Sequence, residues 1–427
     1  MIPNSEEYKI AMSAVRERIA IAKRHRTHRG FIDYYGCISV CNELIAILGD
    51  ARKAAECGDY AYAYSVAALI LIHCSKLAGT ADDSAGGITD TIHEVKDVLN
   101  MTCAGVEYGS AEAEFIYLQS LKDSQNKAFD GWDEFAYDLL LPTARLANKE
   151  NVNKLYAVLD EYNVKLSQKE YSSWHLESDS LVRLAAIKAV DGDQAAEAFI
   201  NDHIQYDEIR KIAYRNALDC GDLTQAEKLC IDKINSVDRP YHWTEKWYGM
   251  LFDVYLKMGD KAKQTKLAQD LLINKKDTSY YSILKNLLIE QSMWHQAYQP
   301  LLARLSKSLP YDLYMSILSK EGETEKLMGE LREHPTMVFQ YGKQLSIDFP
   351  PEVFAICLSL IRSKAAESSY RKMYKDVCGN IRKLFDFGGE SEAESIIEEL
   401  RAKYPRRPAM IDELDNLAVK LSKKRKK

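Results

Sequence analysis

The chain has 427 residues, 46% of them hydrophobic and 28% charged, and a formal net charge of −6. These proportions belong to a folded protein and exclude wholesale disorder; the length allows two or three globular domains, or one array sized by its repeat count. The charge is uneven: Lys420 to Lys427 carry six cations and no anion, and residues 16–29 set Arg16, Arg18, Lys23, Arg24, Arg26 and Arg29 against Glu17 alone, which excludes a chain-long nucleic-acid groove and confines phosphate contact to the ends.

The opening Met1-Ile2-Pro3-Asn4-Ser5-Glu6-Glu7 lacks a basic-then-apolar leader pattern, so a cytoplasmic address is expected. No proline falls between residues 4 and 141, which leaves residues 1–105 free to form long helices around the glycine-rich turn Asp82-Asp83-Ser84-Ala85-Gly86-Gly87. The most apolar run, Ala67 to Ile72, is interrupted by His73 and Lys76 and is too short to cross a bilayer, so no membrane contact is expected.

Nine cysteines are scattered at 37, 41, 57, 74, 103, 220, 230, 357 and 378, mostly on apolar helical faces, and read as reduced buried thiols. Cys37 and Cys41, with His25 and His28 upstream, offer zinc-ligand chemistry. Their spacing is that of a helix face, however, and the histidines sit in the cationic run Lys23 to Arg29, which repels a dication; burial is the expectation. The Asp82 turn has His93 where a calcium loop needs its twelfth, acidic ligand. It reads instead as a capping loop, with Thr91 and Glu94 as a capping box for the next helix.

From about residue 106 to 334 a turn recurs. Gly221-Asp222-Leu223-Thr224-Gln225-Ala226 places Gly, a polar residue and a small Ala between two apolar-periodic helices. The same turn runs from Gly58 to Ala63 and from Gly388 to Ala393, and again with Ser292 in the glycine place, ending at Ala297. Looser copies begin at Gly192, Gly259 and Gly322. From 192 the steps are 29, 38, 33 and 30, then 66 to Gly388, a period near 33 that means stacked helical hairpins. Glycine ends a helix because it takes the left-handed conformation cheaply, and the alanine lets the second helix approach the first. Ile209, Ile212, Ala213, Asn216 and Ala217 form one helical stripe, and Trp247, Leu251, Val254, Tyr255 and Met258 another. No two-residue alternation is sustained, so strands are not expected. From Pro335 the chain runs to a last helix starting near Pro408. The expected fold is an all-α superhelical solenoid of stacked hairpins, with regions 1–105, 106–334 and 335–427.

Tyr248, Leu251 and Tyr255 before Gly259, and Tyr311, Tyr314 and Leu318 before Gly322, resemble the tetratricopeptide repeat; Arg210, Ala213 and Ala217 before Gly221 make a degenerate copy. A second resemblance runs in short islands over nearly the whole chain. Arg29 to Tyr34, Asp82 to Ser84, Phe129-Asp130-Gly131-Trp132-Asp133-Glu134-Phe135, Tyr370 to Tyr374 and Tyr404 to Leu414 resemble a helical region in bacterial SWIM zinc-finger proteins. The Cys-x-Cys and Cys-x-His pairs of the SWIM finger are absent, so the resemblance implies the helical scaffold and not zinc-dependent binding.

No Gly-x-Ser-x-Gly elbow, Walker loop, Gly-x-Gly-x-x-Gly or His-Glu-x-x-His occurs, so neither an enzyme nor a cofactor is expected. Among 26 tyrosines and five tryptophans, Tyr241, Trp243, Trp247 and Tyr248 are candidates to line a partner groove, although such rings more often pack between hairpins. Arg406, Arg407, Lys423, Lys424, Arg425, Lys426 and Lys427 are candidate phosphate contacts. The sequence therefore points to a scaffold or adaptor for a protein partner; the alternative is a nucleic-acid accessory protein touching phosphates through its basic ends.

Overall fold

The computed structural model describes residues 2–167, 173–236, 241 and 244–425. The fold is all-α, with 22 α-helices among the described residues, and the only strands there are two of two residues each. The chain divides into two compact units, Met1–Val254 and Tyr255–Lys427. The boundary expected near 105 falls inside a continuous core that runs from Tyr8 to Ala186, and the one near 334 falls inside the second unit.

In the first unit, α1 (Glu6–Arg24) leads into a small hairpin, β1 (Thr27–His28) and β2 (Phe31–Ile32), which the sequence reading did not anticipate. Arg29 and Gly30 turn it with φ of 53° and 84°, the double left-handed geometry that matches strand twist. Ile32 is buried; its N–H donates to the Thr80 carbonyl at 3.0 Å and its own carbonyl accepts from the Asp82 N–H at 2.9 Å. The hairpin thus pins the Asp82 loop.

Next come α2 (Tyr34–Glu56), α3 (Tyr60–Ala78) and α4 (Gly87–Gly105), which pack as a trio. The capping box expected at Thr91 and Glu94 is not there, because α4 starts five residues earlier than that box requires. Asp83 does the capping instead, its Oδ1 accepting the Ile88 N–H at 2.9 Å, while the Thr91 hydroxyl donates to the Gly87 carbonyl and Glu94 pairs with Arg52 at 2.6 Å. Contrary to the reading of its apolar run, α3 is long and apolar enough to span a bilayer by length and composition. Most of it is buried, packed by α2, α4 and α5 (Ala111–Ser124), as the core helix of this unit.

α6 (Glu134–Thr143), α7 (Val152–Ser167), α8 (Ser173–Asp191), α9 (Asp193–Asp202), α10 (Asp207–Asp219) and α11 (Leu223–Ser236) complete the run of hairpins to α12 (Glu245–Met258), in which the division between units falls. Tyrosine hydroxyls bind one helix to another here. Tyr162 donates to the Ser124 carbonyl at 2.6 Å, Tyr117 to the Asn151 carbonyl at 3.2 Å and Tyr214 to the Met250 carbonyl at 3.1 Å. Each ring fills core volume while its polar tip is satisfied by a backbone carbonyl.

The second unit continues with α13 (Lys261–Ile273), α14 (Tyr280–Glu290), α15 (Trp294–Ser308), α16 (Tyr311–Glu321), α17 (Thr324–Glu333), α18 (Val338–Leu345), α19 (Pro350–Glu367), α20 (Arg371–Asp386), α21 (Glu390–Lys403) and α22 (Pro408–Arg425). The helix pair α18 and α19 supplies the repeat missing from the double step between Gly322 and Gly388, joined through Phe349 with Pro350 opening α19. Most prolines among the described residues lie at or beside helix ends as expected, but Pro142 sits within the last turn of α6 and Pro300 within α15.

The repeated turn is one hydrogen-bond pattern. Gly58, Gly221, Gly259, Gly322 and Gly388 have φ between 68° and 95°, and Ser292, in the same place, has φ 56°. The N–H of the following residue (Asp59, Asp222, Asp260, Met293, Glu323, Gly389) reaches back five residues to a carbonyl at 2.8–3.1 Å, the bond that closes a Schellman helix end. The carbonyl of that same residue then accepts, at 2.9–3.1 Å, the first bond of the next helix from Ala63, Ala226, Gln264, Ala297, Leu327 or Ala393. One residue closes a helix and opens the next. Gln264 and Leu327 are as deeply buried as the alanines of Gly58, Gly221 and Gly388, so the place demands burial rather than smallness. Gln264 meets that demand by donating its side-chain amide to the Tyr255 carbonyl at 2.9 Å.

Two predictions follow from this geometry. Left-handed backbone costs a non-glycine residue roughly 1 kcal/mol, so Ser292→Gly should raise stability by about 0.5–1 kcal/mol and Gly322→Ala should lower it by about 1 kcal/mol, read as shifts in the urea midpoint. His73 is the second case: burial, with repulsion from Lys23 and Lys76, pushes its imidazole down to about 4 from 6.5. The unfolded chain takes that proton first, so this contribution to stability is complete above pH 6.5 and declines as pH falls toward about 4. His73→Gln should flatten that part of the pH–stability curve; an unchanged slope would assign the effect to another group.

Candidate functional site

A partly apolar cleft in the first unit lies among α8, α9, α10 and α11 and encloses about 460 Å³, within the roughly 300–1,000 Å³ usual for ligand sites. Its floor is Leu184 of α8, Ala196 and Ile200 of α9, and Ile212, Ala213 and Ala217 of α10. The helical stripe of α10 is therefore shared: Ile209 is fully buried, whereas Ile212, Ala213 and Asn216 face the cleft. Alanine at 196, 213 and 217 leaves room between helices that larger side chains would fill.

The entry to α9 sets this geometry. The turn at Gly192 is unlike the six others, with φ 85° and ψ −175°, a region open essentially to glycine alone. It starts α9 one residue after α8 ends, and the Gly192 carbonyl accepts from the Ala196 N–H at 3.1 Å. Gly192→Ala should therefore cost about 1–3 kcal/mol of local stability and speed hydrogen exchange in α9 before it affects α10.

The rim is acidic: Asp193, Glu197, Asp219 and Asp222 stand against Lys188. Lys188 pairs with Asp193 at 3.3 Å, and Asp222 accepts the Gln225 N–H at 2.9 Å as a helix cap. Glu197 and Asp219 have no ion pair among the described residues. Nothing in the stripe announced this rim, although Gly192-Asp193 and Asp219-Cys220-Gly221-Asp222 carried the signal of acidic turn residues.

The aromatic candidates are placed differently. Trp247 is 2% exposed and Tyr248 8%, so both rings are used in packing and neither is offered to a partner. Tyr241 lies against Tyr248, ring centroids 5.5 Å apart. Trp243 lies outside the described residues.

The basic candidates are also partly engaged. Arg407 donates to the Ala365 carbonyl at 2.8 Å, satisfying the end of α19, and lies over the Tyr404 ring at 4.2 Å. Arg406 and Lys423 are exposed. The basic end is helical to Arg425 rather than frayed: Lys424 reaches Asp386 at 2.6 Å and Arg425 reaches Glu394 at 3.1 Å. Lys426 and Lys427 lie outside the described residues.

Cys37 and Cys41 are buried, His25 and His28 are exposed, and no group of three or more His, Cys, Asp or Glu converges among the described residues. Burial pushes Cys37, Cys103, Cys230, Cys357 and Cys378 up to about 12, which keeps these thiols protonated and non-nucleophilic at neutral pH. A partly buried polar knot that the sequence did not single out joins α7 to α8. Arg183 donates to Asp179 at 2.7 Å and to Asp160 at 2.6 Å, and Asn163 donates to Asp179 at 3.1 Å. The four-residue spacing of Asp179 and Arg183 was its only local signal.

Comparison with protein-family models, with curated proteins and with solved structures gives no match to this chain.

Proposed function

We propose that the protein is a non-enzymatic helical-repeat scaffold that holds a segment of a protein partner in the cleft walled by α8 to α11. One observation carries the reading: an apolar floor of small and aliphatic side chains is rimmed by carboxylates, two of which, Glu197 and Asp219, have no cation beside them among the described residues. The complementary partner is a segment with spaced apolar side chains and flanking lysines or arginines, whose charge would hasten encounter and whose side chains would displace water from the floor. The tetratricopeptide-like spacing around Gly259 and Gly322 supports the same role, since hairpin arrays present such surfaces to extended or helical peptides. The regular turn at Gly221 fixes α10 against α11, and a preformed wall lowers the ordering cost of binding.

The test is a pull-down from the native host with the wild type and with Glu197→Lys/Asp219→Lys. It is followed by titration of the recovered partner's basic segment. The double reversal should weaken binding at least about tenfold, or roughly 1.4 kcal/mol, and erase its salt dependence, while helix content is unchanged. Equal recovery and equal affinity by both proteins would reject the cleft as the docking site.

A further inference from the structure

A second cleft, confined to the second unit and independent of the partner-binding reading, has the opposite charge. It encloses about 420 Å³ between α20 and α22. The two helices run parallel and are held at both ends. Arg371 pairs with Asp412 and, at 3.1 Å, with Glu413 near their starts, and Lys424 pairs with Asp386 at 2.6 Å near their ends. The cleft between these two clamps is preformed.

Its walls hold Lys375 and Arg382 from α20 and Lys420 and Lys424 from α22, against Glu413 alone. Glu413 is occupied by Arg371 and Lys424 by Asp386. Lys375, Arg382 and Lys420 have no ion pair among the described residues, so three uncompensated cations line one small space. Cations gathered along one cleft attract a multiply charged anion. The floor is apolar, with Leu417 and Leu421 4–6% exposed and the Cys378 thiol protonated beside them.

Gly379 adds a separate observation. It lies inside α20, where alanine would be better by about 1 kcal/mol, and a Cβ built on it would meet nothing within 4 Å. Packing therefore does not require glycine; its missing side chain widens the cleft it lines.

We propose that this cleft binds a small phosphate-bearing molecule carrying three or more negative charges, its phosphates on Lys375, Arg382 and Lys420 and any organic body on Leu417 and Leu421. The shared chemistry is the polyphosphate group, which an inorganic polyphosphate or a nucleoside polyphosphate could bring. Arginine suits it through its planar fork of donors, and lysine as a mobile point charge.

Calorimetric titration of the full chain with inorganic tripolyphosphate and with a nucleoside triphosphate tests the assignment and separates the two sources. Binding of either ligand should weaken about 10–100-fold in Arg382→Ala/Lys420→Ala, while Lys263→Ala/Lys266→Ala, in another cleft of the same unit, leaves it unchanged. Gly379→Leu, which suits a helix better than glycine, should block the nucleoside triphosphate by filling the floor. The proposal is overturned if neither ligand binds at millimolar concentration, or if the Arg382/Lys420 double variant binds as the wild type does. It is equally overturned if a single-stranded oligonucleotide binds more tightly than both ligands and loses nothing in Gly379→Leu, since an extended backbone contact would then explain the cations.

Discussion

The constraint that the rest of the structure depends on is a pair of hydrogen bonds made by one residue at six of the hairpin turns. A helix end leaves carbonyls without partners and a helix start leaves N–H groups without partners. At six turns a single residue after the left-handed position settles one of each, donating backward and accepting forward. Because no intervening loop is needed, the two helices begin in register and their apolar stripes meet. Even Ser292 is held in a left-handed backbone, which shows how strongly the surrounding helices fix the turn.

Side chains then decide what the hairpins can do. Where volume is large and tyrosine tips find carbonyls on a neighbouring helix, as at Tyr117, Tyr162 and Tyr214, the space is closed. Where alanine or glycine replaces volume, as at Ala196, Ala213 and Gly379, clefts remain. The two clefts differ in the sign of their walls, one carboxylate-rimmed and one cationic, although both are lined by the same kind of element. A repeat fold of this type supplies shape uniformly and leaves chemistry to a few exposed positions.

The fold was legible because its signals are local. The glycine positions, the small or apolar residue five places later and the helical stripes are dictated by backbone geometry within a single hairpin. Gly259 and Gly322, which looked like loose copies, have the full turn, since the buried place accepts Gln264 and Leu327; Gly192, another loose copy, makes a different turn. The sites were less legible because they rest on contacts between distant residues. Trp247 looks available in sequence but is buried, and Arg407 looks like a phosphate ligand but caps α19. Arg382 and Lys420 were not singled out as contacts because only the pairing of α20 with α22 brings them to one cleft. The β1–β2 hairpin was missed for a related reason: strands of two residues are too short to show alternation.

The burial of α3 has a consequence for how the chain is born. Part of its apolar surface is covered by α2, which precedes it, and the rest by α4 and α5, both later in the sequence. At about 5–20 residues per second, the ribosome needs roughly 2–9 seconds to pass from Ala78 to Ser124. For that interval only α1 and α2 are available to cover a segment with the length and hydropathy of a membrane span.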